Sequence, residues 1–291
     1  MKPAPFDYAA PTSLDEAVKL LAANEGEAKV LAGGQSLMPL LNMRLARPGL
    51  LVDLARIPGL DYVREEAGAI VIGAMARQRA LERFAPAGGL TPLLAAALLH
   101  VAHPQNRNQG TVCGSLAHAD PAAELPAVAL TLDATFKVVG PGGTREVAAR
   151  DFFVTYLTTV LEPTEILAEV RFPAQKARTG WAFDEVARRH GDFAMCGVAT
   201  TVTLDGTGAV ADSRVVLFGV GATPIRAVSA EKALLGQKPS EALFGEAAAR
   251  VSDAIDEPLS DVHATAEYRR HVARALTARA LPHAFARARG A

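Results

Sequence analysis

Apolar positions along the first fifty residues change period more than once. Between residues 13 and 24, Leu14, Val18 and Leu21 recur at helical spacing, with Ser13 placed as an N-cap and Glu16 in the capping-box position. Residues 28–32 are a short apolar run that reads as a buried strand and leads into Gly33-Gly34. Ser36 is placed to cap a helix over residues 37–44, where Pro39 falls near the first turn and its missing N–H has no intrahelical partner to lose. Residues 50–54 form the next strand. Together, residues 28–54 predict a β–α–β unit with a glycine turn at the exit of its first strand.

From Ile70 onward the pattern is mixed. Residues 69–74 read as a strand, and residues 91–103, opened by Thr91-Pro92, as an apolar helix. A further helix is predicted from Pro121 to Leu132, with Ala122, Leu125, Val128 and Leu132 on one side. Residues 136–139, 145–147 and 166–172 are strand candidates divided by Gly and Pro turns. A polar stretch over residues 173–180 lacks apolar periodicity and marks a boundary. Beyond it, strands are predicted around residues 182–186, 196–204 and 213–220, the last two joined across Asp205-Gly206-Thr207-Gly208, a hairpin signal. The remainder reads as helical, ending in an Ala- and Arg-rich amphipathic stretch from His263 to about Arg289 that Pro282 is expected to break or kink. The fold class is therefore α+β rather than a doubly wound repeat.

Composition narrows the possible functions. The chain has 291 residues, enough for two domains and a substantial core. Its 30 basic and 31 acidic residues nearly cancel, so the electrostatic footprint of a nucleic-acid binder is missing. No apolar run reaches the ~18 residues of a membrane span. The start, Met1-Lys2-Pro3-Ala4-Pro5-Phe6-Asp7-Tyr8, has no apolar core of a signal peptide, and a cytoplasmic location is expected. Only two cysteines occur, Cys113 and Cys196, too few for the four thiolates of an iron–sulfur cluster. Any such centre has to come from another subunit.

Two short segments carry the candidate chemistry, about eighty residues apart. The first is Ala32, Gly33, Gly34, Gln35 and Ser36; the second is Thr111, Val112, Cys113, Gly114 and Ser115. Each combines small residues with a hydroxyl, the chemistry needed to wrap backbone N–H groups around a phosphate. Neither is GxGxxG nor GxxxxGK[ST], so the Rossmann and P-loop readings do not apply. A pair of such cradles without a Walker lysine suits a dinucleotide, which points to a redox cofactor. The first turn alone is equally readable as a tight connection. The second lies in a longer strip, residues 110–126, where Thr111, Ser115, His118, Asp120 and Glu124 cluster between two apolar helical stretches, as in a binding loop.

Other polar groups have plainer readings. His100 and His103 are three apart on the predicted helix, but no carboxylate stands in ligand spacing, so no metal is expected. His118 reads as a polar contact within the strip. Arg188-Arg189-His190-Gly191-Asp192 is either a solvated hairpin end or a contact near the cofactor or a partner subunit. The terminal helix reads as a surface helix, with partner docking as the second choice.

The Ala32-Gly33-Gly34-Gln35-Ser36 turn continuing into Leu37-Met38-Pro39-Leu40-Leu41, and the Thr111-Val112-Cys113-Gly114-Ser115…Asp120-Pro121…Glu124-Leu125-Pro126 strip, resemble the FAD-binding medium subunit of molybdenum hydroxylases of the carbon monoxide dehydrogenase and xanthine dehydrogenase type. The likeness runs from Phe6 through residues 219–226 to the terminal helix. It implies a two-lobed vanillyl-alcohol-oxidase-like (PCMH-type) FAD-binding domain over residues 1–175, with lobes of about 1–55 and 56–175. A smaller domain over residues 179–291 would hold a three-stranded antiparallel sheet and helices. By the same resemblance, residues 32–36, with Leu31 before them, and residues 111–115 grip the FAD pyrophosphate. Glu124 contacts the cofactor, while Leu167 and Val101 lie near the isoalloxazine.

The resemblance further implies non-covalent FAD, an iron–sulfur small subunit with [2Fe-2S] clusters, a large subunit with a molybdenum cofactor, and a dimer of heterotrimers. Electrons would pass from the iron–sulfur centres through FAD to NAD, oxygen or a quinone. No general acid or base is required of this chain. Two departures stand out: Cys113-Gly114 replaces the glycine pair of many relatives, where the thiol could alter flavin contacts or oxidise, and Glu185 stands where some relatives carry a lysine near the flavin. A self-sufficient flavin reductase of this fold and a non-catalytic scaffold are the competing accounts.

Overall fold

The structure is a computed structural model that describes residues 2–290. Its first lobe contains strand β1 (Asp7–Ala9), helix α1 (Leu14–Ala23), β2 (Ala28–Leu31), α2 (Leu37–Asn42) and β3 (Leu50–Asp53). The strands form a parallel sheet in the order β1–β3–β2. Strand β1, only three residues long and mostly exposed, has no apolar run to announce it. The Ser13 hydroxyl accepts from Glu16 N at 3.2 Å, as the capping box requires. The Glu16 carboxylate, however, takes the Thr12 N–H at 2.8 Å, one residue earlier than the box predicts. Ala17, Val18 and Leu21 close the lobe's core against Val52 and Leu54. Ser36 does not cap α2 with its side chain: its backbone is already helical (φ −101°, ψ −43°) instead of extended as at a capping residue.

The second lobe runs through β4 (Val63–Glu66), β5 (Ala69–Gly73), α3 (Gln78–Glu82), α4 (Ala85–Leu90), α5 (Pro92–Leu98), α6 (Pro104–Gln109), α7 (Val112–His118), α8 (Glu124–Thr131), β6 (Thr135–Gly140), β7 (Gly143–Ala148), β8 (Phe153–Thr155), β9 (Thr158–Thr159) and β10 (Ile166–Pro173). β4–β5–β10–β6–β7 make an antiparallel sheet, and β8–β9 a separate ribbon. The single helix expected over residues 91–103 ends at Leu98. His103 is extended (φ −114°, ψ 161°) because Pro104 follows it and clashes with a helical predecessor. His100 and His103 therefore share no helix face. Within the expected binding strip over residues 110–126, residues 112–118 are also helical, and the helix expected from Pro121 begins at Glu124. The strip's apolar residues fill α7 and α8, which are separated at Ala119 in the left-handed region (φ 53°).

The last part contains β11 (Thr179–Val186), β12 (Cys196–Leu204), β13 (Val210–Phe218), β14 (Ile225–Arg226), α9 (Val228–Leu234), α10 (Glu241–Arg250) and α11 (Ala266–Ala288). The three expected strands pair antiparallel, and a fourth, two-residue strand extends the sheet beyond β13. The Asp205 carboxylate organises the β12–β13 turn by accepting from Thr207 N at 2.8 Å and Ala209 N at 3.0 Å. Of the break or kink expected at Pro282, the break does not occur: helix α11 runs on through it, held on the sheet by a buried stripe including Val272, Leu276, Ala280 and Ala284. Contact is close enough that a Cβ on Gly180 would sit 1.8 Å from Ala284 O. On the same sheet, Ala127 and Leu130 of α8 pack with Ala194, Val216 and Phe218. Helix α8 thus bridges the second lobe and this sheet, which explains why all eight of its residues are buried.

Candidate cofactor site

The two glycine segments meet. Gly33 lies so close to the second segment that a Cβ there would be 2.4 Å from Gln109 O and 2.7 Å from Gly110 Cα. From the other side, a Cβ on Gly114 would stand 3.6 Å from the Ala32 Cβ. Gly34 supplies the left-handed turn (φ 70°) that sends the chain from β2 into α2. Asn106 Nδ2 donates to Gln35 Oε1 at 3.1 Å across the junction. The second segment is anchored behind by Gln78 N donating to Gly110 O at 2.9 Å and Val112 N to Ala76 O at 3.2 Å. Arg77 donates a further hydrogen bond to Gln109 O.

Within the second segment the side chains divide by direction. Thr111 caps α7, accepting from Gly114 N at 3.1 Å, while Val112 and Cys113 point into the core beside Leu167 of β10. Gly114 and Ser115 are half-buried and form the outward face. The Cys113 thiol donates to Ile72 O at 3.7 Å. Burial, and secondarily the charge of Glu169, push its pKa above the ordinary thiol value. The thiol is therefore held protonated and turned away from the cradle, so it neither touches a ligand there nor favours oxidation. Val112 N is committed to Ala76 O and Gly114 N to Thr111 Oγ1, which leaves the Cys113 backbone at the cradle, beside the positive end of α7, a favourable place for an anion.

A second feature is acidic. Glu124 opens α8 at 5% exposure, and its pKa is pushed up to about 8, first by burial and then by the charge of Glu185, with Asp120 adding and Arg107 opposing. Glu185 reaches the same region from β11. Its Oε1 lies 3.2 Å from His100 Nδ1, and its Oε2 is buried without a hydrogen-bond partner. Arg107, also buried, donates to Glu82 at 2.9 Å and to Val101 O at 2.8 Å, fixing the turn that carries Val101. Polarity alone marks residues 105–109 in the sequence, so Asn106 and Arg107 are identified only by the fold. Leu31 lies at the end of β2, 3.4 Å from where a Gly34 Cβ would stand. Loop 188–192 remains exposed at Arg188 and Arg189, which pair with Asp192 at 3.5 and 3.4 Å.

These residues fit a flavin dinucleotide chemically. The cradle offers backbone N–H groups and no lysine, which suits a pyrophosphate. The orphaned Glu185 Oε2 is an acceptor in need of a donor, and the hydroxyls and ring N–H of FAD are donors. Among the described residues no group of His, Cys, Asp and Glu could hold a metal ion, and no helix is long and apolar enough to cross a membrane.

Fold and cradle together define a flavoprotein: residues 4–175 match the family described as the FAD binding domain in molybdopterin dehydrogenase, and the chain belongs to it. Residues 181–284 match the CO dehydrogenase flavoprotein C-terminal domain. Among similar proteins, the 6-hydroxypseudooxynicotine dehydrogenase complex subunit alpha of Paenarthrobacter nicotinovorans is 42% identical, covering 99% of this chain and 97% of the relative. The carbon monoxide dehydrogenase medium chain of Hydrogenophaga pseudoflava is 40% identical, with 99% of each chain covered. A solved structure of carbon monoxide dehydrogenase from Hydrogenophaga pseudoflava superposes with a TM-score of 0.94 at 41% identity, covering 99% of both chains.

Proposed function

We propose that this chain is the electron-transfer medium subunit of a molybdenum-containing hydroxylase or dehydrogenase. Electrons would arrive from [2Fe-2S] centres of a small subunit, which a molybdenum-cofactor large subunit fills by oxidising its substrate. The observation that carries the reading is the contact of the two glycine segments, which turns two weak motifs into one backbone-lined cradle. FAD, when bound, supplies the redox chemistry, accepting electrons and passing them to an external acceptor. The chain's own residues bind and orient. Residues 32–36 and 111–115 hold the pyrophosphate through those backbone N–H groups not already committed within the protein and through the Ser36 and Ser115 hydroxyls, without a covalent link. Glu124, Leu167 and Val101 complete the pocket. Both cysteines are buried and far apart in sequence, so the iron–sulfur centres belong to a partner.

We place the assembly in the cytoplasm as a dimer of heterotrimers. The substrate is chosen by the large subunit: relatives at 42% and 40% identity carry names with unrelated substrates, so this chain's sequence does not select one.

The test is an absorbance spectrum of the purified chain before and after acid precipitation. Flavin bands at about 370 and about 450 nm that move wholly to the supernatant support non-covalent FAD. Bands that stay with the pellet overturn the non-covalent claim, and a colourless protein that refuses added FAD overturns the electron-transfer reading.

A further inference from the structure

Arg269, the fourth residue of α11, is 3% exposed, yet its contacts are not those of a surface charge. One guanidinium nitrogen donates both to Gly219 O, at 2.6 Å, and to Met195 O. The other terminal nitrogen donates to Asp261 Oδ2 at 2.7 Å, and Nε is buried without a partner. Those two carbonyls lie at neighbouring strand ends, Met195 just before β12 and Gly219 just after β13. Burying an arginine rarely yields net stability over well-packed apolar side chains, and here one donor is left unsatisfied. What the arginine adds is geometry.

Each carbonyl leads to one of the buried carboxyls. Gly219 N donates to Pro121 O at 2.7 Å, in the turn three residues before Glu124. That turn is closed by Asp120 Oδ1 accepting from Ala122 N at 2.9 Å. Met195 N donates to Val186 O at 2.8 Å, next to Glu185 on β11. Gly219 itself has no slack: its φ is 70°, and a Cβ would stand 2.9 Å from Ala194 O and 3.0 Å from Met195 O. One guanidinium therefore ties the strand that carries Glu185 to the turn that presents Glu124.

We propose that Arg269 is a positioning residue of the cofactor site, setting the separation of Glu124 and Glu185 across the two domains without touching the cofactor. This rests on the FAD reading above. In the full-length chain, Arg269→Met should weaken FAD binding by at least about tenfold, because two buried acceptors lose their charged donor. It should also alter the visible circular dichroism of the bound flavin. Arg269→Lys keeps a charge that serves one carbonyl and should fall between, about threefold weaker. Asp261→Asn leaves both carbonyl bonds in place and should bind FAD as the wild type does. The melting temperature of each FAD-free variant separates positioning from folding.

Wild-type affinity and an unchanged flavin spectrum in Arg269→Met, whatever its melting temperature, overturn the proposal. If Arg269→Met does not fold, Arg269→Lys decides alone, and wild-type binding with an unchanged flavin spectrum there overturns it equally. A wild-type chain that takes up no FAD overturns the cofactor reading, and this inference with it.

Discussion

The two glycine segments do the same kind of work by different physical means. In the first, glycine is needed because backbone lies against backbone: Gly33 rests on the Gln109–Gly110 peptide, and Gly34 holds a left-handed turn. In the second, the key residue is Thr111, whose hydroxyl caps α7, and Gly114 is small because that hydroxyl occupies the space where its Cβ would be, 2.5 Å away. The first is defined by what cannot be added and the second by what must be present. Substitutions should therefore act differently on the two sides of one cradle.

The largest effect on FAD uptake is expected at Gly33. Gly33→Val forces a branched side chain into a carbonyl and should abolish measurable FAD uptake. It should also lower stability by about 1–3 kcal/mol, the usual range for overpacking, as read by urea unfolding. A variant that binds FAD normally would show that the segments can separate without loss of the site.

The second side should instead show a pH dependence, an effect on stability rather than on FAD uptake. Glu124 has an ordinary pKa of 4.5 and a folded one of about 8, so between those values the folded state binds more protons than the unfolded state. Stability of the FAD-free chain should fall as pH rises through that window, by up to about 1.4 kcal/mol per unit, and level off outside it. In Glu124→Gln this decline should disappear from pH-dependent denaturant titrations. A decline that survives belongs to another group.

Thr111→Ala should cost about 1 kcal/mol through loss of the helix cap and weaken FAD as well, whereas Thr111→Ser should restore both. Unfolding midpoints and FAD titrations read the two effects separately. Ser36→Ala is expected to have the smallest effect on stability, within about 0.5 kcal/mol, because its hydroxyl caps nothing in the protein. FAD affinity should nonetheless fall, assigning that hydroxyl to the ligand. If Ser36→Ala destabilises the FAD-free chain, the contrast between the segments fails.

Much of this was legible in the sequence, and the failures have local causes. Strand β12 and the strands at residues 28–31, 50–53 and 69–73 follow from apolar runs bounded by turn residues. The helix expected across residues 91–103 stops at Leu98, and the chain then turns, with Ala102 left-handed (φ 43°) and His103 held extended by Pro104. Small and polar residues make residues 110–120 look like a loop, yet tertiary burial is enough to fold so short a segment as 112–118 into helix. Pro282 failed to end α11 for the same reason: a packed apolar stripe outweighed one missing hydrogen bond.

By itself the sequence determined the α+β class, the glycine turn after β2, the cap at Ser13 and the absence of enough cysteine for an iron–sulfur centre. Each depends on sterics, periodicity or counting within a few residues. Tertiary structure alone decided that Gly33 lies on Gly110, that Cys113 turns away from the cradle, that Glu124 faces Glu185 across two domains, and that Arg269 ties them. Those contacts join residues tens of positions apart in the chain. Their pairing is settled by how whole elements pack, and no local pattern carries that information.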